Sequence, residues 1–277
     1  MSEILVLGAT GTTGSRVAEF LRHRGVAVRS ATRTPGGKAG RVRFDWADDT
    51  TYAAALHGVS AVYLVAPVGV HDPVPVVAPF LELARRAGVR RVVVLGSSAV
   101  PESESGLGGL YRLVRSTVPE WTVLRPSWFM QNFGAPQVAI RQAGASEIVS
   151  ATGEARIAFI DAADIAAVAG YALLDAEPHN TEHLLTGPEA LSYDEVAAII
   201  TEITGRPLTH RRLTAYELAR HFTEFGLPAD FALMLAALDD DIRAGAENRI
   251  THTVERITGR PPRSFAEFVT EELRLAA

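Results

Sequence analysis

Three glycines directly behind the first apolar run limit most strongly what this chain can fold into. The apolar run at residues 4–7 is followed by Gly8, Gly11 and Gly14, spaced GxxGxxG, and then by a segment with helical spacing. A strand that turns on glycines into a helix is the context in which such a motif indicates a dinucleotide site. The alternative interpretation is a strand-to-helix turn that is rich in glycine for structural reasons alone.

Each glycine has a separate predicted task. Gly8 would permit the tight turn, Gly11 the close approach of a pyrophosphate, and Gly14 the contact of helix with strand. The N-terminus of the following helix offers N–H groups and a partial positive charge to an anion. We therefore predict that NAD(P) binds here, with additional hydroxyl donors from Thr10, Thr12 and Thr13.

Apolar runs alternate with helix-length segments over the first half of the chain. Runs rich in Val, Ile and Leu predict buried strands at residues 4–7, 26–31, 42–44, 61–65, 92–95 and 122–124. Helices are predicted between them at residues 13–24, 51–56, 74–87 and 107–116. This alternation predicts an α/β fold of the Rossmann type, a doubly wound parallel sheet with right-handed crossovers.

The second half of the chain departs from this alternation. Short strands are predicted at residues 148–149, 157–160 and 183–185. Helices are predicted at 162–174, after Ser192 with Glu195 completing a capping box, at 214–244 with a break at 226–228, and at 265–275. We predict a dinucleotide-binding core at 1–150. Residues 151–277 are expected to complete the sheet and to add a small, mostly helical substrate lobe, all within one structural unit.

Composition excludes several classes of function. The chain has no cysteine, which rules out disulfides, thiolate catalysis and Cys-ligated zinc. A formal charge of −5 gives no electrostatic case for a nucleic-acid partner. No apolar run reaches the roughly 18 residues of a membrane span, and the N-terminus does not resemble a signal peptide. We expect a cytoplasmic protein with a small-molecule substrate; the oligomeric state stays open.

Metal binding is not expected either. The eight histidines have no ligand spacing. The run Asp239-Asp240-Asp241 would point in different directions on a helix, so we interpret it as a solvated face.

The residues after the second predicted strand bear on the choice of cofactor. Sites that select NAD usually place an acidic residue here, where it accepts from the ribose 2′-hydroxyl. This chain has Arg33, with Lys38 close behind, and an arginine fork binds a 2′-phosphate. We predict NADP(H), with NAD(H) as a further possibility, against the alternative of a solvated loop arginine.

Further cofactor contacts are predicted at the ends of the third and fourth strands. Asp45 and Trp46 are placed to meet the adenine edge, although a plain surface turn explains them equally well. Ala66 and Pro67 end the fourth strand beside the expected ribose position. His71, in the loop that follows, should border the nicotinamide; we predict a substrate lid and a weaker candidate for acid–base work.

Several motifs taken in order resemble one family over essentially the whole chain. They are GATGTTG at 8–14, VVVLGSSA at 92–99, WTVLRPSWFMQNF at 121–133 and FIDAADIAAVA at 159–169. The chain resembles the NmrA-like branch of atypical short-chain dehydrogenase/reductases. This branch includes festuclavine-dehydrogenase-like reductases and actinomycete ketoreductases of the angucyclinone type. Its members reduce ketones, iminium ions, quinones or activated alkenes, while others bind NADP without turnover as redox sensors.

The resemblance implies roles for residues at the ends of the fifth and sixth strands. Ser98 matches the serine that hydrogen-bonds the substrate carbonyl, or alternatively caps strand-end backbone. Ser97 is assigned to the cofactor site. Pro126 and Trp128 lie where relatives contact the nicotinamide amide through backbone. Four apolar residues suit a flat aromatic substrate, with a core seam as the equal alternative: Trp128, Phe129, Met130 and Phe133.

Orthodox members of this superfamily use a Tyr-x-x-x-Lys pair. Here Tyr111 is followed at that spacing by Arg115, and arginine does not easily replace a compact ammonium. The lysine position of NmrA-like relatives instead falls near Leu107. Tyr111 is therefore only a weak catalytic candidate, and a tyrosine half-buried on a helix is the preferred interpretation.

These observations lead to one prediction of function and two alternatives. We predict an NADPH-dependent reductase that transfers hydride to a ketone of a bulky, aromatic natural product, in secondary metabolism such as antibiotic biosynthesis, without the Tyr/Lys pair. An iminium ion, quinone or activated alkene is the alternative substrate. A non-catalytic NADP-binding redox sensor is the alternative of another class.

Overall fold

A computed structural model of the protein describes residues 3–37, 39–134 and 146–273. The chain folds into two compact units that interleave in sequence. Unit 1 comprises Met1–Pro126, Ala162–Leu185 and Ile257–Gly259, and unit 2 comprises Ser127–Asp161, Thr186–Arg256 and Arg260–Ala277. The boundary at residue 150 stays a prediction.

The described elements are as follows in chain order. The strands are β1 (Glu3–Val6), β2 (Val28–Thr32), β3 (Arg41–Arg43), β4 (Val59–Leu64), β5 (Arg91–Leu95), β6 (Glu120–Pro126), β7 (Glu147–Ser150), β8 (Thr181–Leu185) and β9 (Thr209–Arg212). The helices are α1 (Thr12–His23), α2 (Tyr52–Leu56), α3 (Val74–Arg86), α4 (Gly106–Thr117), α5 (Ala162–Leu174), α6 (Tyr193–Thr204), α7 (Ala215–Glu224), α8 (Ala229–Arg243), α9 (Thr253–Thr258) and α10 (Phe265–Phe268).

Unit 1 contains a parallel sheet in the order β3-β2-β1-β4-β5-β6-β8. The strand order reverses between β1 and β4, the switch point at which open α/β sheets bind ligands beyond their carboxyl ends. The central strands are almost wholly apolar because helices cover both faces of such a sheet. The predicted α/β class and doubly wound parallel sheet are confirmed, and β8 is the strand that the second half contributes.

Local signals in the sequence place the ends of two helices correctly. Gly25 adopts φ +74° and ends α1, where the N–H of Val26 returns to the carbonyl of Leu21 at 3.0 Å. At the start of α6, Ser192 Oγ accepts from the N–H of Glu195, while the Glu195 carboxylate accepts from the N–H of Ser192. The predicted capping box is confirmed.

Unit 2 is built differently. Strands β7 and β9 pair in parallel, with Ile148 opposite His210, and β9 was not predicted because its sequence THRR has no apolar run. The strand predicted at 157–160 is wrong. Ile157 and Ile160 instead form single bridges, to Leu191 and Phe129.

The C-terminal helices of unit 2 also differ from the prediction. The interpretation of Asp239 as part of a solvated face is wrong, because Asp239 is completely buried and accepts from the N–H of Ala151 at 2.8 Å. One carboxylate of the run therefore joins α8 to the end of β7. The predicted last helix is short: α10 is followed by a π-helical turn over Val269–Leu273, and residues 274–275 of the prediction lie outside the described residues.

No helix in the described part of the chain has the length and apolar character needed to cross a bilayer.

Candidate active site

The glycine turn joins β1 to α1 at the switch point of the sheet. Gly8 adopts φ +62°, a left-handed conformation that glycine takes without strain, and its carbonyl accepts from the N–H of Gly11 at 2.8 Å. A Cβ on Gly8 would lie 3.6 Å from Val65, which follows β4. The turn therefore lies between the carboxyl ends of β1 and β4, at the switch point where sheets of this topology bind dinucleotides.

The other two glycines differ in what surrounds them. A Cβ on Gly14 would come within 2.3 Å of the Gly8 carbonyl oxygen, so a side chain there would force α1 away from β1. Among the residues that the structure describes, a Cβ on Gly11 would meet only that same oxygen, at 3.3 Å, and Gly11 is exposed. The space in front of Gly11 is thus open to a ligand. The close contact of helix and strand predicted at Gly14 is therefore observed, and the approach of a pyrophosphate at Gly11 stays a prediction.

The start of α1 fits an anion. Gly11 is the N-cap and, among the described residues, no side chain caps the first amides of the helix. Uncapped amides and the helix dipole make this end a binding site for phosphate. The residues present therefore fit the pyrophosphate of a dinucleotide. Thr10 and Thr12 are exposed beside it, whereas Thr13 is buried next to Tyr63.

Arg33 follows the carboxyl end of β2 and is exposed. Within residues 3–37, 39–134 and 146–273 it makes no ion pair, so its guanidinium is available to a phosphate. Lys38, predicted to assist it, lies outside the described residues.

Asp45 and Trp46 both take part in local structure after β3. The Asp45 carboxylate accepts from the N–H of Ala47 at 3.1 Å, which stabilises a tight turn. Trp46 donates from Nε1 to the carbonyl of Val65 at 3.2 Å and packs edge-on against Phe44. Trp46 thereby ties the end of β3 to the end of β4. Contact of either residue with adenine stays a prediction.

The loop after β4 is anchored by a residue that sequence reasoning missed. Asp72 Oδ1 accepts from the N–H of Val74 at 3.1 Å and from the N–H of Gly106 at 3.0 Å, which links the starts of α3 and α4. The Asp-Pro pair at a helix start was the available signal. Before this anchor, Ala66 and Pro67 are half-buried, His71 is exposed, and Val68 is 94% exposed.

Ser97, Ser98 and Ala99 form a turn at the carboxyl end of β5, here called the serine turn. The Ser97 carbonyl accepts from the N–H of Val100 at 3.2 Å, which closes the turn, and Ser97 Oγ accepts from the N–H of Ala99 at 3.2 Å. The N–H of Ser98 donates to the carbonyl of Pro126 at 2.9 Å. The structure thus brings Ser97, Ser98 and Pro126 together. Ser98 is only 3% exposed.

Tyr111 packs beneath the serine turn. It is 1% exposed, and its hydroxyl accepts a hydrogen bond from the N–H of Ser97 at 3.0 Å. A Cβ on Gly96 would lie 2.3 Å from that hydroxyl, so the ring fits only against a glycine. Burial raises the pKa of Tyr111 to about 12, because a phenolate is poorly stabilised there. The residue at the lysine spacing, Arg115, is exposed and pairs with Glu102 at 2.9 Å.

The apolar residues predicted to face a substrate lie in unit 2. Met130 is fully buried, whereas Trp128 and Phe129 are half-buried. Phe133 packs edge-on against Phe159 and Phe265, with both centroid distances 5.3 Å. Met130 and Phe133 belong to the core of this unit, as the alternative interpretation holds. Their contact with a substrate stays a prediction.

No group of three or more His, Cys, Asp or Glu side chains in the described ranges is arranged to hold a metal ion.

Comparison with known protein families and sequences supports a nicotinamide dinucleotide as the cofactor. Residues 8–176 match a family described as NAD(P)H-binding, over a segment that starts at the first glycine of the turn. An uncharacterised oxidoreductase of Bacillus subtilis is 48% identical over 96% of this chain and 93% of its own length. An agroclavine dehydrogenase of Claviceps fusiformis is 39% identical over 97% of this chain and 96% of its own length.

Solved structures show the same fold. An NADPH-dependent quinone oxidoreductase from Escherichia coli, complexed with NADPH, superposes with a TM-score of 0.80 at 25% identity, covering 96% of this chain and 98% of that one. NmrA, a negative transcriptional regulator complexed with NAD, superposes with a TM-score of 0.75 at 14% identity, covering 99% and 96%. The chain therefore belongs to the NAD(P)H-binding family and is an NAD(P)H-dependent oxidoreductase related to the clavine dehydrogenases, with an NmrA-like fold.

Proposed function

We propose that the protein is an NADPH-dependent reductase of a conjugated carbonyl group, in a quinone or in the predicted aromatic ketone, on a bulky polycyclic substrate. The observation that carries the proposal is the serine turn. Its backbone hydrogen bonds support the segment that carries the Ser97 and Ser98 hydroxyls at the carboxyl end of β5, while the hydroxyl of the tyrosine beneath it accepts from the N–H of Ser97. The exposed apolar Val68, after the neighbouring β4, favours an apolar ligand.

The chemistry requires little from the protein beyond positioning and charge stabilisation. Bound NADPH would supply the hydride. When the acceptor carbon gains the hydride, the C=O π bond breaks and its electron pair passes to oxygen. Ser98 would donate a hydrogen bond to that oxyanion. On a quinone the hydride would add instead to a ring carbon conjugated with the C=O group. The ring C=C π bond then breaks, its electron pair passes through the conjugated system to the carbonyl oxygen, and the resulting enolate takes its proton from water. An aromatic ketone with a neighbouring phenol carries its own proton, so neither acceptor needs Tyr111 as an acid.

An iminium ion is the second candidate, because the family resemblance implies it among the acceptors and a relative with 39% identity is an agroclavine dehydrogenase. Hydride addition to an iminium carbon turns the cationic nitrogen into a neutral amine. No oxyanion forms and no proton is consumed, so the serine turn would contribute little to this reaction.

The test is NADPH oxidation by the native protein with three kinds of acceptor. The panel is a polycyclic quinone, a phenol-substituted aromatic ketone and a cyclic iminium ion. We expect turnover with the quinone or the ketone. Turnover with the iminium ion alone would replace the proposal by the second candidate. Tight NADPH binding without turnover of any acceptor would contradict both and would favour a redox sensor.

We expect NADPH to bind more tightly than NADH because Arg33 follows β2, is exposed and makes no ion pair with the described residues. Replacing Arg33 by Asp should weaken NADPH binding by about 1.5–3 kcal/mol, the range for hydrogen bonds to charged groups, and should leave NADH affinity nearly unchanged. Titration of both cofactors measures this. The matched control is Arg41→Asp, since Arg41 is an exposed arginine at the amino end of β3. Equal affinities of the native protein for both cofactors would show that Arg33 does not select between them.

A further inference from the structure

Arg125 holds the serine turn from the neighbouring strand. Near the end of β6, its Nε donates to the carbonyl of Ser97 at 3.3 Å and its Nη2 donates to the carbonyl of Ser98 at 3.2 Å. Its remaining nitrogen, Nη1, donates to a Glu182 carboxylate oxygen at 2.9 Å. One guanidinium thus binds two successive carbonyls and one carboxylate, each through a different nitrogen.

The sheet register explains why these groups meet. Strands β6 and β8 are parallel, with Val123 opposite Glu182 and Arg125 opposite Leu184. Residues two apart on a strand lie on the same face of the sheet, so Arg125 and Glu182 are diagonal neighbours. Strand β5 pairs with the other side of β6 and ends at Leu95, two residues before Ser97. Three adjacent strands therefore contribute to this contact.

The donor groups of the turn are held as well. The N–H of Ser97 donates to Tyr111, and the N–H of Ser98 donates to Pro126. With the Arg125 contacts, both backbone polar groups of each serine have a partner within unit 1. Loops at strand ends ordinarily move more than the strands they extend. In this turn the hydrogen bonds of the Ser97 and Ser98 backbone groups favour one backbone arrangement over the others.

We propose that Arg125 is a positioning residue for this site, oriented by Glu182, and that it fixes the serine turn at the reacting carbonyl. This inference rests on the proposed function. Arg125 would act through the backbone and would not touch substrate. The role requires the planar fork of an arginine, because a lysine ammonium cannot present three donors in fixed directions. Donors that stabilise an oxyanion are effective only when they are held in place before the reaction.

The chain offers a matched control at the opposite end of β5. Arg91 donates from Nε to Glu120 at 2.8 Å and from Nη1 to the carbonyls of Leu173 and Asp175 at 3.1 and 2.7 Å. Arg91 and Arg125 thus have the same kind of partners, but Arg91 lies at the amino end of the sheet, away from the predicted cofactor. Substitution of either arginine should lower thermal stability to a similar extent.

The experiment compares Arg125→Met and Arg125→Lys with Arg91→Met. Four quantities are measured: kcat and KM for the accepted substrate, NADPH affinity, and hydrogen exchange of the amides at residues 97–99. For Arg125→Met we expect kcat to fall about 100-fold, the loss typical of misplacing a catalytic group by about 1 Å. KM and NADPH affinity should change little, and the Ser97 and Ser98 amides should exchange faster. Arg125→Lys should be more stable than Arg125→Met. Its kcat and its amide exchange rates should lie between those of the native protein and those of Arg125→Met.

Two outcomes would overturn the proposal. One is an equal fall in kcat for Arg91→Met at the same loss of stability, which would indicate a merely structural role. The other is native exchange of the Ser97 and Ser98 amides in both Arg125 variants. The exchange measurement needs no substrate. If none of the acceptors tested supports NADPH oxidation by the native protein, the proposed function fails. The hydrogen-exchange rates of the Ser97 and Ser98 amides still decide whether Arg125 orders the serine turn.

Discussion

Replacing Gly11 by Val should abolish NADPH binding while the protein stays folded. The backbone at Gly11 is extended, with φ −89° and ψ 179°, so valine can adopt it. Among the described residues a Cβ would meet only the Gly8 carbonyl oxygen at 3.3 Å, a tight contact that a shift of a few tenths of an ångström relieves. The branched side chain would instead fill the space that a pyrophosphate must enter. We expect affinity to fall at least about 100-fold, roughly 2.7 kcal/mol. Fluorescence titration with NADPH measures the affinity, and circular dichroism measures the fold.

Gly14→Val is the informative comparison. Its Cβ would lie 2.3 Å from the Gly8 carbonyl oxygen, so α1 must move from β1 and the Tm should fall together with binding. Gly11→Val thus tests the space needed by the ligand, and Gly14→Val tests the packing of α1 against β1. Native NADPH affinity in a folded Gly11→Val protein would mean that the cofactor does not lie against this turn.

Ser98→Ala should lower kcat on a carbonyl substrate about 100-fold, whereas Tyr111→Phe should leave kcat within a few-fold of native. Losing one donor to a developing oxyanion typically costs 10²–10³ in rate, about the loss we expect here. Tyr111 is buried, its hydroxyl accepts from Ser97, and its pKa is raised to about 12. A group with that pKa keeps its proton throughout the neutral range and is a poor general acid at pH 7.

Steady-state kinetics on the accepted substrate compares the kcat of Ser98→Ala with that of Tyr111→Phe. Ser97→Ala is measured in the same way. Tyr111→Phe leaves the N–H of Ser97 without its acceptor, which should cost about 1–3 kcal/mol of stability and lower the Tm. No group with a tyrosine-like pKa should govern the pH dependence of kcat between pH 6 and about 10. A thousandfold fall in kcat for Tyr111→Phe, with NADPH binding intact, would instead make Tyr111 the proton donor. An unchanged kcat for Ser98→Ala would remove Ser98 from the mechanism.

Local patterns were enough to predict the elements that form the predicted cofactor site. Buried strands of a parallel sheet are continuous apolar runs, and amphipathic helices have their own period, so their alternation indicates the fold class. The turn after β1 was predictable because its conformational requirements are local. A left-handed residue at Gly8 and a close helix–strand approach at Gly14 are demands on single positions that only glycine meets. The caps at Gly25 and Ser192 are equally local.

Contacts between residues distant in sequence were decided by the tertiary structure alone. Tyr111 shares a helical pattern with its neighbours, but only the packing of α4 against β5 turns its hydroxyl into an acceptor for Ser97. Strand β9 pairs with β7 across some sixty residues, and its polar sequence gives no period to detect. Asp239 stands in an acidic run typical of a surface, yet it is buried because the N–H of Ala151 needs an acceptor.

Arg125 combines a position that the sequence predicts with contacts that only the tertiary structure decides. Its place beside Pro126 near the end of a predicted strand was evident from the sequence. Its partners on β8 and beyond β5 were not, since they depend on which strands become neighbours and in which register. Strand order is a property of the whole sheet, selected by the burial of all its helices at once. The sequence by itself therefore determined the strand–turn–helix unit at which the dinucleotide is predicted to bind, and the tertiary structure decided which side chains hydrogen-bond to the serine turn.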